Sequence, residues 1–248
     1  MITVSILGNG NVAHHLTTAF LNSEKVVVKQ VYARDIDKID YLKDRVSITN
    51  TIELLEEADV YIIAVSDNAI EKVSSKIKTK NGLVVHTSGS FPLHKLNTTN
   101  TKGVFYLLQS FSKTKPVNFD EIPFCLEAEN EKDLQLLENL ANTIGKKVYR
   151  INSKQRQHLH VAAVFVNNFV NHLYAIGNDI CEAYNVPFEI LQPLIKETAL
   201  KLKELSPKEA QTGPAKRNDT NTIENHLHLL NPKQQEIYQL ITKSIQDG

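Results

Sequence analysis

Along the first half of the chain, short apolar runs alternate with stretches whose apolar residues recur at helical spacing. Ile2 to Leu7 reads as a buried strand, Val12 to Leu21 as an amphipathic helix, and the valine-rich segment Val26 to Tyr32 as a second strand. Asp59 to Val65 and Leu83 to His86 are further strands, separated by a helical pattern from Asn68 to Ile77. Val104 to Leu108 and Phe124 to Glu127 are strand candidates. A helix from Asp133 to Ile144 stops at Gly145 and leads into a strand from Lys147 to Ile151. This alternation predicts an α/β domain of the Rossmann type, doubly wound around a mainly parallel sheet.

The pattern changes after Asn152. Ser153 to Tyr184 reads as one long helix with no proline and a single glycine, Gly177. Phe188 to Leu205, Glu224 to Leu230 and Pro232 to Ile245 are also helical, and Ser206 to Thr222 forms a polar loop. The expected organisation is an α/β domain over residues 1–151 and an all-helical domain over 152–248.

Composition narrows the classes of partner. The 248 residues are 42% hydrophobic and 23% charged, an ordinary globular balance. Lysine plus arginine count 28 and aspartate plus glutamate 28, so no net field draws in nucleic acid or an anionic membrane. Cys125 and Cys181 lack metal-type spacing and read as two buried reduced thiols. The start shows no basic leader, and no segment approaches a membrane span, which gives a cytoplasmic protein as the expectation.

Gly8-Asn9-Gly10-Asn11-Val12-Ala13 follows a strand and opens a helix, the context in which G-x-G-x-x-G/A signals a dinucleotide. Gly8 permits the tight turn, Gly10 keeps side chains away from a pyrophosphate, and Ala13 allows close helix–strand packing. Gly8 to Val12 would then present free amides to the phosphates. A tight strand-to-helix turn without a ligand also favours glycine. The second strand ends Val31-Tyr32-Ala33-Arg34, with Ala33 where an NAD-binding domain usually carries an acid. Arg34 suits a 2′-phosphate, which favours NADP(H) over NAD(H). Asp35 is the ribose acceptor if the strand runs further.

Three features carry candidate chemistry. Val65 and Ser66, after the strand from Asp59, are expected beside the nicotinamide half of the cofactor, although Ser66 and Asp67 also suit a helix cap. His86-Thr87-Ser88-Gly89-Ser90 ends the next strand with small hydroxylated residues that suit a carboxylate or carbonyl, or form a plain Ser/Gly turn. On the long helix, His160, Asn167, Asn168 and Asn171 share one stripe among alanine and valine, and His160 is a candidate general acid. In the loop Gln211 to Asp219, Thr212 and Arg217 are candidate substrate contacts; alternatively, Asp219 pairs with Arg217 and caps the next helix.

The glycine loop, His86 to Ser90, Leu159-His160-Val161-Ala162-Ala163-Val164 with Asn168, and Gln211 to Asp219 occur in this order in a bacterial family that the chain resembles. Its members join a Rossmann-like NADP-binding domain to a helical domain of unknown function. They are similar in build to pyrroline-5-carboxylate reductase and to the β-hydroxyacid and 6-phosphogluconate dehydrogenases. The resemblance implies an active site in a cleft between the domains and a homodimer formed through the helical domain. It also implies substrate contacts at Ser88, Gly89, His160 and Asn168. The chain departs from the dehydrogenases in having Lys154 too near the helix start to match their catalytic lysine. Leu107 stands where close relatives have proline. The expected activity is hydride transfer between NADP(H) and a small carbonyl, imine or hydroxyacid. A non-catalytic NADP(H) sensor is the alternative, and a reductase using a deazaflavin partner is a third reading.

Overall fold

The computed structural model describes residues 1–248, which form two compact units, Met1–Val166 and Asn167–Gly248. In the first unit, eight strands form one sheet: β1 (Ile2–Leu7), β2 (Val26–Tyr32), β3 (Ser47–Thr49), β4 (Val60–Ile63), β5 (Leu83–His86), β6 (Thr101–Leu107), β7 (Pro123–Ala128) and β8 (Lys147–Arg150). The helices of this unit are α1 (Asn11–Leu21), α2 (Asp67–Ser74), α3 (Glu131–Ala141) and α4 (Ser153–Ala163). The strand order is β3-β2-β1-β4-β5-β6-β7-β8, a doubly wound arrangement that reverses direction between β1 and β4. Ligands of such sheets lie outside the carboxyl ends of the strands at that reversal. All neighbours pair parallel except β6 and β7, which run antiparallel. The Leu108–Ile122 connection between them carries no crossover helix, and a parallel pairing would need one.

The central strands are apolar on both faces because both are covered. Val4, Ile6, Val60 and Ile62 pack with Leu16 and Phe20 of α1 on one side, and Tyr61, Ile63 and Val84 pack with Ile70 of α2 on the other. Their continuous β-branched runs explain why β1, β2 and β5 coincide with the strands read from sequence. Ser47–Thr49 was not foreseen, because three residues with one apolar member give no periodic signal.

The second unit contains α5 (Val170–Ala183), α6 (Gln192–Leu200), α7 (Pro207–Ala210), α8 (Thr220–His228) and α9 (Pro232–Asp247). A π-helical turn, Val164–Phe169, joins α4 to α5, so α-helical spacing does not carry from His160 to Asn168. The single helix expected over Phe188 to Leu205 is instead a 3₁₀ turn, Phe188–Leu191, then α6, then a 3₁₀ turn, Lys201–Lys203. Pro193, near the start of α6, has no amide to extend a helix from before it. The polar loop is shorter than expected: it contains α7, and α8 starts at Thr220 under an Asp219 cap rather than at Glu224.

Two other expectations are corrected. Ser153–Ala183 is a 31-residue helix whose most apolar window has a mean hydropathy of 1.2, long and apolar enough by composition to cross a membrane. Between Leu159 and Ile176 its interruptions are asparagine and histidine with no charged residue, so a count of charges under-reads its polarity. Cys125 is buried, as expected, but Cys181 is only half-buried.

Candidate functional site

At the carboxyl edge of β1, the chain turns at Gly8, whose φ of +142° favours glycine. A Cβ there would also overlap the Ala64 carbonyl oxygen after β4, so the sheet itself excludes a side chain. Gly10 is different: it has a φ of −75°, and a Cβ on it would meet nothing within 4 Å. No side chain caps α1, and its first turn closes with the His14 amide on the Gly10 carbonyl at 3.0 Å. The amides of Asn11, Val12 and Ala13 therefore point out of the helix end without a protein acceptor. The Asn11 side chain turns aside to donate to the Phe111 carbonyl at 2.7 Å.

These residues open onto a groove of about 770 Å³. Gly8, Asn9, Gly10, Asn11 and Val12 line one part, Val65, Ser66 and Ser88 another, and Tyr32, Ala33 and Arg34 the end beyond β2. The structure thus brings together every cofactor residue expected from the sequence. It adds Ile52, Ala69, Lys72, Val73 and Lys76. Ala69, Lys72, Val73 and Lys76 follow helical spacing on α2, which extends to Ser74, and the turn after it; this spacing was present in the sequence. Arg34, Lys72 and Lys76 form no ion pair. Asp35, the alternative ribose acceptor, instead precedes a 3₁₀ turn and pairs with Lys38 at 3.5 Å. The groove fits a dinucleotide with an extra phosphate: apolar side chains such as Ile52, Val65 and Val73 among polar ones, unpaired cations, and unpaired amides at a glycine turn.

The loop after β5 is held from both sides. The Ser88 hydroxyl oxygen accepts the amides of Ser90 at 3.1 Å and Phe91 at 3.0 Å. Its O–H lies 3.5 Å from the Ser90 hydroxyl, a long contact that a ligand in the groove can replace. Ser90 donates to the Asp67 carboxylate at the start of α2. From α4, Gln157 donates to the Ser90 carbonyl at 3.1 Å, and the Arg156 guanidinium donates to the Phe91 carbonyl at 2.7 Å. Arg156 is fully buried and paired with the Glu127 carboxylate on β7. Nearby, His86 is fully buried, and its Nδ1 accepts the Ser88 amide at 3.1 Å. Burial, and next the positive charge of Arg156, push His86 down to about 3, so its ring is neutral at physiological pH.

His160, in the last turn of α4, stands over Gly89 with its Nδ1 3.1 Å from the Tyr106 hydroxyl of β6. Local spacing carries no sign of this pairing, since Tyr106 lies 54 residues away and reads as a strand residue. The other expected residues lie in the second unit. Asn168 is exposed in the π turn. Thr212 lines an apolar groove of about 600 Å³ with Leu173, Ile176, Ile237 and Tyr238, surroundings that suit apolar surface more than a polar substrate. Asp219 caps α8 through the Thr222 amide at 3.1 Å and hydroxyl at 2.8 Å, and these bonds hold its carboxyl below the usual carboxylate range. Arg217 is exposed in the preceding turn and forms no ion pair with Asp219. No group of histidine, cysteine and carboxylate side chains is placed to hold a metal ion.

Residues 3–88 match the family described as NADP oxidoreductase, coenzyme F420-dependent, and residues 122–245 match the domain of unknown function DUF2520. No curated protein matches the chain. A Bacteroides fragilis protein assigned as an NADP oxidoreductase is 38% identical, covers 100% of this chain and 98% of its own, and superposes with a TM-score of 0.91. A Thermotoga maritima protein is 22% identical over 98% of this chain and 97% of its own, with a TM-score of 0.74. A reductive aminase from Aspergillus terreus, solved with NADPH and ethyl levulinate, shares the fold. It is 15% identical, covers 100% of this chain and 95% of its own, and has a TM-score of 0.72. A Rossmann domain of the NADP oxidoreductase kind, running into this C-terminal domain and matched end to end by the Bacteroides protein, makes the chain a member of the DUF2520 family.

Proposed function

We propose that this protein is an NADP(H)-dependent oxidoreductase acting on a small carbonyl, imine or hydroxyacid. The observation that carries this reading is the groove at the β1–α1 turn, where unpaired amides meet three unpaired cations. Amides at a helix N-terminus bind a pyrophosphate, and an arginine with neighbouring lysines binds a 2′-phosphate that NADH lacks. Bound there, reduced nicotinamide supplies the hydride. The chain's own residues orient the substrate, exclude water and exchange a proton. The Ser88 hydroxyl and the His160 ring are the polar groups nearest the groove around the β5 loop, with His160 as the general acid. The fold shared with a reductive aminase solved with NADPH supports the imine class.

The same reading makes the protein a homodimer. Within residues 167–248, Ala215 alone is buried, whereas Ile190, Leu194 and Leu240 are each more than 60% exposed. A unit of that size needs an apolar core to hold its fold, and a second copy of the chain supplies the missing cover. The apolar face of Ser153–Ala183 then packs on protein rather than lipid.

Fluorescence titration with NADPH and NADH, followed by a screen for NADPH oxidation with keto acids, aldehydes and preformed imines, tests the reading. NADPH binding at least about tenfold tighter than NADH is expected, since loss of a paired phosphate costs at least one charge-assisted contact. Failure of both nucleotides to bind would sink it, and tight binding without turnover on any class would turn it into a sensor.

A further inference from the structure

The Tyr106–His160 pair has three properties that together assign it a task within the oxidoreductase reading, on which this inference rests. First, the hydroxyl reaches Nδ1 at 3.1 Å, with the two rings edge to face at 78° and 6.0 Å between centroids. Second, the pair needs a glycine beneath it: a Cβ on Gly89 would lie 2.5 Å from His160 Nδ1 and 2.9 Å from Tyr106 Cζ. Third, Nε2 has no partner in the protein, while Thr87 and Ser88, next to Gly89, line the nucleotide groove. Burial pushes Tyr106 up to about 12, so its hydroxyl stays protonated and can serve as either donor or acceptor. Around it stand Cys125, its cross-strand neighbour, a buried thiol pushed up to about 11, and Arg156, which is paired with Glu127 and whose positive charge favours the ionised phenol but is outweighed by burial.

We propose that Tyr106 is a positioning residue: it occupies Nδ1 of His160 in both protonation states, so that Nε2 alone exchanges the proton with a carbonyl or imine substrate. In the reducing direction, the substrate carbon gains a hydride and its π-electron pair moves onto oxygen or nitrogen. That atom takes the Nε2 proton of the imidazolium, while Nδ1–H remains and donates to the Tyr106 oxygen. In the oxidising direction, the Nε2 lone pair takes the hydroxyl or amine proton as the substrate carbon gives up its hydride to the oxidised nicotinamide, and the charge returns to the ring. Without Tyr106, nothing holds Nδ1 away from the substrate, and the ring can turn so that either nitrogen faces it.

Nitrogen-15 spectra of ring-labelled histidine in the full chain, free and with NADPH, test this, with His160→Gln identifying the His160 signals. The expected wild-type result is two unequal ring nitrogens with a hydrogen-bonded Nδ1. Tyr106→Phe, which keeps the ring and removes the hydroxyl, is expected to shift the tautomer ratio at least about twofold. Gly89→Ala, which displaces the imidazole from another element, is expected to do the same. Tyr106→Phe should leave the NADPH Kd within about twofold of wild type, because it touches neither the amides nor the cations of the groove. Spectra unchanged in both variants would overturn the pairing. Absence of NADPH binding to wild type overturns the oxidoreductase reading instead, and with it the proton-exchange role, even where the ring spectra match.

Discussion

Arg156 and His86 sit side by side in the interior, and each makes stability depend on a different variable. His86 is ordinarily half protonated near 6.5, but folded it resists protonation until about 3. The unfolded chain therefore binds a proton that the folded chain refuses between those values. Stability is fully present above 6.5 and falls as the pH drops toward 3. Urea midpoints measured from pH 7 to pH 4 should decline, with His86 accounting for up to about 3 kcal/mol at pH 4. His86→Gln, which keeps a neutral acceptor for the Ser88 amide, should flatten that slope. Arg156 depends on its partner instead. Glu127→Gln strands a guanidinium that has no exposure, whereas Arg156→Met strands a carboxylate that keeps 16% of its side-chain surface in water. Glu127→Gln should therefore cost more, about 3 kcal/mol or above, in denaturant unfolding. Equal costs would show that the burial of the pair is shared evenly.

At the scale of elements, the two glycines of the β1–α1 turn are set by different neighbours. Gly8 is confined by the Ala64 backbone and a positive φ, so Gly8→Ala should destabilise the fold whether or not nucleotide is present. Gly10 has open space and an ordinary φ, so Gly10→Ala should leave the melting temperature unchanged while weakening NADPH by about tenfold or more. A stable, fully binding Gly10→Ala protein would show that the phosphates lie elsewhere. Much of this level was legible in sequence. Continuous apolar runs give β1, β2 and β5, and turn glycines give the nucleotide loop and its position. The antiparallel β6–β7 pair was not legible, because strand direction depends on a connection, Leu108–Ile122, that has no pattern of its own. The Arg156–Glu127 and Tyr106–His160 pairs were hidden for a related reason. Each joins residues 29 and 54 positions apart, a proximity created by the sheet and not by local spacing. His160 was visible as an odd polar group on an apolar helix, but the tyrosine that defines its chemistry was not.

For the whole molecule, the sparse interior of residues 167–248 bears on self-association. Charged substitutions at Ile190, Leu194 and Leu240, which are 66%, 64% and 71% exposed, should shift sedimentation toward a single chain if a second copy covers them. An unchanged sedimentation coefficient would mean that these side chains face water in the assembled protein. Stability then ceases to be a property of one chain. By mass action, the melting temperature should climb with protein concentration, each tenfold rise adding about 1.4 kcal/mol to the folded pair. A chain made without a companion would expose its apolar surface to chaperones and proteases, so the cell's supply of this protein would be filtered by how many copies are made together.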